Sequence, residues 1–299
     1  MKDYLIKAYA YDGTVRVYVA RTTQMIAHAQ KVHDLWPTSA AALGRLLTAS
    51  VIMGAMYKGA LNHDDHELTI RYATNGPLEG MVATTNAKGE VRGYVGNPHV
   101  FLQYNDGKLN VAQAVGQGQL HVTKDLKVRN IFTSSVDIQT GEVAEDFAYY
   151  FTASEQIPSA VSLGVKVNDD HTILHAGGFI IQMMPGYQKE TVTTIETILK
   201  DLPPISVLLD QGNTPEMIAA KLTQDNYQLL ETMDLHYRCD CHKEKFERGI
   251  ISLGPVELKR LLEEDNMIET VCHFCLETYH FDANDIQKLI KESEKNRDN

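Results

Sequence analysis

All four cysteines of the chain fall between residues 239 and 275. They run Cys239-Asp240-Cys241, thirty intervening residues, then Cys272-His273-Phe274-Cys275. Tetrahedral zinc takes four soft ligands at about 2.3 Å, and two short-spaced cysteine pairs brought together by a small fold supply them. Cys239, Cys241, Cys272 and Cys275 are therefore expected to hold one zinc ion in the reduced protein. His242 and His273 stand beside the pairs, and either imidazole could replace a thiolate. Four thiolates already complete a tetrahedron, so these histidines are expected at the surface. His28, His63, His66 and His171 have no partner at ligand spacing.

The spacing also bears on redox chemistry. In Cys239-Asp240-Cys241 the Cα atoms are close enough to the roughly 4.4–6.8 Å window of a disulfide for a strained, reducible bridge. Cys272 and Cys275 form a Cys-x-x-Cys pair, a spacing that supports low thiol pKa and reversible exchange. Each pair can close on itself. A static zinc ribbon, never oxidised in the cell, fits the same spacing equally well.

Energetics give the spacing a consequence. From about Met233 onward, large apolar residues are few, among them Phe246, Ile250, Ile251, Leu253, Leu261, Leu262, Ile268, Val271, Phe274 and Phe281. A core that small supplies only about 3–5 kcal/mol, whereas a structural zinc site contributes on the order of 10–16 kcal/mol. A thiolate consumed in a disulfide no longer ligates metal. Oxidation is therefore expected to release the zinc, unfold this tail and remove whatever the preceding segment docks against.

Composition narrows the partners. The net charge of −11 over 299 residues opposes the phosphate backbone, whose binding depends on Lys and Arg. Residues 233–299 carry 10 Lys and Arg against 15 Asp and Glu, so even the cysteine-bearing tail is a poor grip for nucleic acid. Met1-Lys2-Asp3-Tyr4 leads into no long apolar run, and no stretch is read as approaching the roughly 20 apolar residues that span a bilayer. The expected location is the cytoplasm, where thiols stay reduced and a cysteine cluster reads as metal-binding or redox-sensing.

The elements that must position this cluster follow from periodicity. Tyr4, Ile6, Ala8 and Val15, Val17, Val19 alternate around Asp12-Gly13 and predict a hairpin. Thr23 to Trp36 has helical spacing closed by Pro37. A second helix follows, capped by Thr38 or Ser39, with Leu43, Leu46, Leu47, Ser50, Val51 and Gly54 on one face. Residues 67–122 alternate between turn signals and predict antiparallel sheet, and 141–154 predict a helix. Strands return at 160–167 and 172–184. Small helices are expected from 186 to about Met233, Thr214-Pro215 starting one of them. The whole is an α+β fold: a domain of mixed, mainly antiparallel sheets with packed helices over 1–185, a helical linker over 186–232, and a small zinc-binding α+β domain over 233–299. Once undocked, linker residues Ile195, Ile198, Leu199, Val207, Leu208, Leu209, Ile218, Leu222, Leu229 and Leu230 would expose apolar surface.

Several of these stretches together resemble the redox-regulated heat shock protein 33 chaperones. The likeness rests on the two cysteine pairs, Gly44-Arg45 with Leu47-Thr48-Ala49, and Gly93-Tyr94-Val95-Gly96-Asn97-Pro98. It extends to the run from Gly141 to Phe151, continuing from Ser154 to Val161, and to Ala176-Gly177-Gly178-Phe179. The resemblance spans essentially the whole chain. It implies a holdase, a chaperone that works without ATP and binds unfolding client proteins under oxidative stress, with dimerisation and client binding assigned to the N-terminal domain. It implies disulfides between Cys239 and Cys241 and between Cys272 and Cys275 on oxidation, and a homodimer as the oxidised form. One departure is visible: Lys127-Val128-Arg129-Asn130-Ile131-Phe132 replaces a stretch expected to contain glycine and Pro-Tyr.

Two other functions compete. A thiol–disulfide oxidoreductase using Cys272 and Cys275 needs a strand–Cys-x-x-Cys–helix context in a thioredoxin-like fold. A static zinc-ribbon docking module would keep its metal after oxidation. Gly116-Gln117-Gly118 lacks the rest of a dinucleotide loop, and no Ser, His and Asp grouping has diagnostic context, so no catalytic residue is expected.

Overall fold

The computed structural model describes residues 2–58, 66–127 and 130–297. His63, and Val128 and Arg129 of the divergent stretch, lie outside the described residues. The chain forms two compact units, Met1–Arg238 and Cys239–Asn299.

In the first unit, β1 (Tyr4–Ala10) and β2 (Val15–Arg21) form the expected hairpin, with Tyr11, Asp12 and Gly13 all at positive φ in its turn. Helix α1 (Thr23–His33) ends before Pro37, at Asp34, whose left-handed conformation lets its N–H reach back to Gln30 O. Pro37 instead opens α2 (Pro37–Met56), where its missing N–H costs nothing. Thr38 and Ser39 are thus inside the first turn rather than caps. Their hydroxyls bond the loop at Val100 and Leu102.

Two sheets flank α2. Strands β3 (Glu67–Thr74), β4 (Met81–Asn86) and β5 (Glu90–Val95) precede the short helix α3 (Val111–Val115), and β6 (Gly118–Asp125) and β7 (Phe132–Asp137) follow it. Gly116–Gly118 is merely the turn from α3 into β6. Helix α4 (Ala144–Ala153) leads to β8 (Ser159–Val167) and β9 (Ile173–Met183). Next come helices α5 (Lys189–Asp201), α6 (Ile205–Asp210) and α7 (Pro215–Thr223), then strands β10 (Tyr227–Asp234) and β11 (His236–Tyr237). The first sheet has the order β10-β1-β2-β9-β8 and is antiparallel throughout. The second, β11-β5-β4-β3-β6-β7, is antiparallel except for the parallel β11–β5 pair. This is the mixed α+β architecture expected from the sequence.

Helix α2 packs on β8 and β9 of one sheet and on β4 and β5 of the other. Expected to bury one face, it is buried on nearly all of them. It is also long and apolar enough to cross a membrane, contrary to the reading that no stretch approaches that length, but 89% of its apolar window is buried inside the protein. It is the central core helix.

The opposite face of the first sheet is covered by α5, α6 and α7. Ile6, Val15, Val17, Val19, Phe179 and Ile181 of the strands pack against Ile195, Ile205, Leu208, Leu209, Ile218 and Leu222 of the helices. Two glycines allow this approach: a Cβ on Gly164 would lie 2.8 Å from the Ile205 side chain, and one on Gly177 would lie 2.7 Å from that of Leu209. Helix α7 begins as expected, with Met217 N–H donating to Thr214 Oγ1. The helical stretch stops at Thr223, however. Tyr227–Asp234 is strand because it completes the first sheet beside β1, which leaves Leu229 and Leu230 exposed at the sheet edge. In the divergent stretch, Ile131 and Phe132 at the start of edge strand β7 are exposed.

The second unit contains α8 (Lys243–Ile251), α9 (Pro255–Glu264), a hairpin of β12 (Met267–Val271) and β13 (Thr278–Asp282), and α10 (Ala283–Arg297). Among the described residues its core is six buried side chains, Ile250, Leu258, Phe281, Ile286, Leu289 and Ile290. Phe246, Ile251, Leu262 and Ile268 pack around it as expected, while Leu253 and Val271 are exposed.

Candidate metal centre

The C-terminal unit brings the four cysteines together. Cys239 stands two residues after β11, and Cys241 two residues before α8. Cys272 and Cys275 lie in the turn between β12 and β13. That turn is closed by Cys272 N–H to Glu277 O (2.9 Å) and Leu276 N–H to Cys272 O (2.8 Å), and Leu276 takes a positive φ. Pairing of β12 with β13 thus fixes one half of the site, and the start of α8 fixes the other.

All four thiols are free, and their Sγ atoms lie within 4.8 Å of one another. Two of the separations run across the pairs: Cys239 to Cys272 at 3.7 Å and Cys241 to Cys275 at 3.1 Å. Four ligands at zinc–sulfur distance would be about 3.8 Å apart in a tetrahedron, so this set fits a metal ion of that kind with small adjustments. His242 and His273 are exposed and stand outside the cluster. His242 Nδ1 lies 3.0 Å from Asp240 O.

Electrostatics explain why such a set wants a cation. Burial pushes the Cys239 thiol up to about 11, although the backbone N–H of Cys241 supports its thiolate. Cys275 is raised further, first by burial and then by its sulfur neighbours. Cys241 is held below the usual thiol value: burial opposes ionisation, but the Tyr279 hydroxyl and the surrounding thiols stabilise its thiolate. Four thiolates this close repel one another, and a bound cation is what reverses that cost.

Sequence reasoning found every cysteine but missed Tyr279. Its hydroxyl donates to Cys241 Sγ at 3.3 Å, and its ring lies against Phe246 of α8, with centroids 4.8 Å apart. The usable signal was the alternation in β13, which puts Tyr279 on the same face as buried Phe281. The pair Cys272 and Cys275 lies in a β-hairpin turn. This is not the strand-to-helix setting that a thioredoxin-like oxidoreductase requires.

Comparison with known proteins agrees with this architecture. The family model for the Hsp33 protein matches residues 3–282. The 33 kDa chaperonin of Bacillus licheniformis is 50% identical over 292 residues, covering 97% of this chain and 99% of that protein. The one from Geobacillus kaustophilus is 49% identical, covering 99% and 100%. The crystal structure of the 33 kDa chaperonin (heat shock protein 33 homolog) from Thermotoga maritima superposes with a TM-score of 0.88 at 34% identity, covering 99% of this chain and 100% of that one.

Proposed function

The chain belongs to the heat shock protein 33 family of stress chaperones, and from that premise we propose that it is an ATP-independent holdase switched on by oxidation. In this reading it binds unfolding proteins and keeps them from aggregating under oxidative stress. The observation that carries the proposal is the gathering of four free thiols within 4.8 Å in a unit whose described core is six side chains.

In the reduced state Cys239, Cys241, Cys272 and Cys275 hold one zinc ion. When bound, zinc supplies the positive charge and the cross-link that such a small unit needs. Oxidation joins Cys239 to Cys241 and Cys272 to Cys275. Each bond then lies within one loop, so the two loops are free to part. A bond across the pairs would instead tie the loops together. With its ligands consumed the metal leaves, and about 3–5 kcal/mol of core packing does not hold the unit folded.

Unfolding is passed along the chain to the helical layer. Helices of 13, 6 and 9 residues are marginal alone in water, so α5–α7 persist only by docking. Their apolar faces and the sheet beneath them form one cluster, and lifting the layer uncovers both for clients. Residues 1–185 then serve client binding and dimerisation, 186–232 act as the switchable layer, and 233–299 as the redox switch. The active oxidised form is a homodimer in the cytoplasm, with no nucleic acid or membrane as partner and no catalytic turnover.

The test is a peroxide titration of the reduced protein, with zinc release followed by a chromophoric chelator and suppression of client aggregation assayed in parallel. The two signals are expected to rise together. Metal retained by fully disulfide-bonded protein would favour a static docking module instead.

A further inference from the structure

The four sulfurs are not equivalent in what surrounds them. Cys241 is supported by a side chain, the Tyr279 hydroxyl at 3.3 Å. That hydroxyl is held in place. Tyr279 pairs with Thr270 across the β12–β13 hairpin, its ring stacks on Phe246 at 4.8 Å and 31°, and Phe246 itself packs on the core of the unit.

We propose that Tyr279 is a positioning residue that slows oxidation of Cys241 and so sets how much peroxide the switch needs. The inference rests on the redox reading above. A thiolate attacks peroxide with a sulfur lone pair. The S–O bond forms as the O–O bond breaks and hydroxide leaves, giving a sulfenic acid on Cys241. The Cys239 thiolate then attacks that sulfur: the S–S bond forms, the S–O bond breaks and a second hydroxide leaves. Two thiolates have lost two electrons, which peroxide has gained. A hydroxyl donating to Cys241 Sγ occupies one lone pair and draws charge from the sulfur, so the first step must weaken that hydrogen bond before it proceeds. A tyrosine in this position lets the loaded site ignore low peroxide without losing its capacity to respond.

The experiment uses the full chain carrying Tyr279→Phe, which keeps the stacked ring and removes only the hydroxyl. With cobalt(II) in place of zinc, the thiolate-to-metal charge-transfer band is expected to move to lower energy, because the lone pair is no longer held by a donor. A purely structural role would not move it. With zinc bound, peroxide-driven metal release is expected to be about tenfold faster, the usual scale for loss of a partner that supports a metal ligand. Phe246→Leu, which keeps the hydroxyl but loosens its seat, should fall between the two proteins in both measurements. An unshifted band, an unchanged or slower release, or a Phe variant unable to bind one equivalent of cobalt would each overturn the proposal. Should peroxide release no metal from the unsubstituted protein, the fault lies with the redox reading itself, and that control separates the two failures.

Discussion

The two units of this molecule solve the same problem with unequal means. The N-terminal unit buries α2 between two sheets, and side chains from both sheets and from α1, α3 and α4 close around it. The C-terminal unit has six buried apolar side chains among its described residues and four thiols that gain little by being together unless a cation joins them. One core is held by area removed from water, which oxidants do not touch. The other gathers four thiols, groups that oxidants can reach chemically, and in the proposed function its stability depends on them. A protein that must keep one part folded while another gives way can be built from this contrast alone.

Stripping the metal, or substituting a ligand as in Cys272→Ser, should have the largest effect. The unit from Cys239 to Asn299 is expected to lose its amide protection because the lost contribution, on the order of 10–16 kcal/mol, exceeds what its core supplies. The N-terminal sheets should keep theirs. Hydrogen exchange resolved by mass spectrometry reads both, and equal loss in the two units would erase the distinction between them.

The layer between these extremes should respond next. Leu222 is fully buried where α7 meets the first sheet, and Leu222→Ala is expected to cost about 2–5 kcal/mol. Client binding by the reduced protein should rise as α5–α7 loosen. A variant that melts earlier yet binds no more client would uncouple that layer from function. Thr214→Ala, which removes the cap of α7, should act in the same direction by about 1 kcal/mol.

Acidity sharpens the contrast further. Cys239 and Cys275 have folded-state values raised above the ordinary 9.0, Cys239 to about 11, by burial first. A raised thiol contributes stability that is complete below its unfolded pKa and is lost as pH climbs through the folded one. Because the C-terminal unit does not stay folded without its metal, this preference for the protonated thiols acts against metal binding instead, since the ligands must ionise to hold a cation. Metal-loaded protein should gain from rising pH up to neutrality, since binding releases thiol protons. Thermal melts of the metal-loaded protein across pH test that slope, and a melting temperature that fell towards neutrality would contradict it. Smallest of all, Arg260→Ala breaks only exposed pairs with Glu257 and Glu264. It should leave the melting temperature essentially unchanged, because solvent screens such exposed pairs.

What the sequence revealed depended on whether the deciding interaction was local. The cysteines point to a candidate metal site by type and spacing, and the Asp12-Gly13 hairpin and the cap at Thr214 are written within a few residues. The sequence predicts helix across β10 because its partner, β1, is more than 200 residues away and consecutive Leu229 and Leu230 break the alternation that marks a strand. Asp34 ends α1 through a left-handed conformation that proline spacing does not announce. In the C-terminal unit, Ile286, Leu289 and Ile290 of α10 carry much of the core. Leu253 and Val271, equally apolar on paper, face solvent. Tyr279 stayed hidden because its role exists only once β13 has brought it to a cysteine 38 residues earlier.

The most direct test of the account is hydrogen exchange across residues 187–224 and 239–297, measured before and after stoichiometric peroxide with zinc release recorded on the same samples. Protection should fall in the C-terminal segment as the metal leaves and then in α5–α7, while α2 remains protected. Full oxidation with metal loss but unchanged exchange in α5–α7 would contradict it.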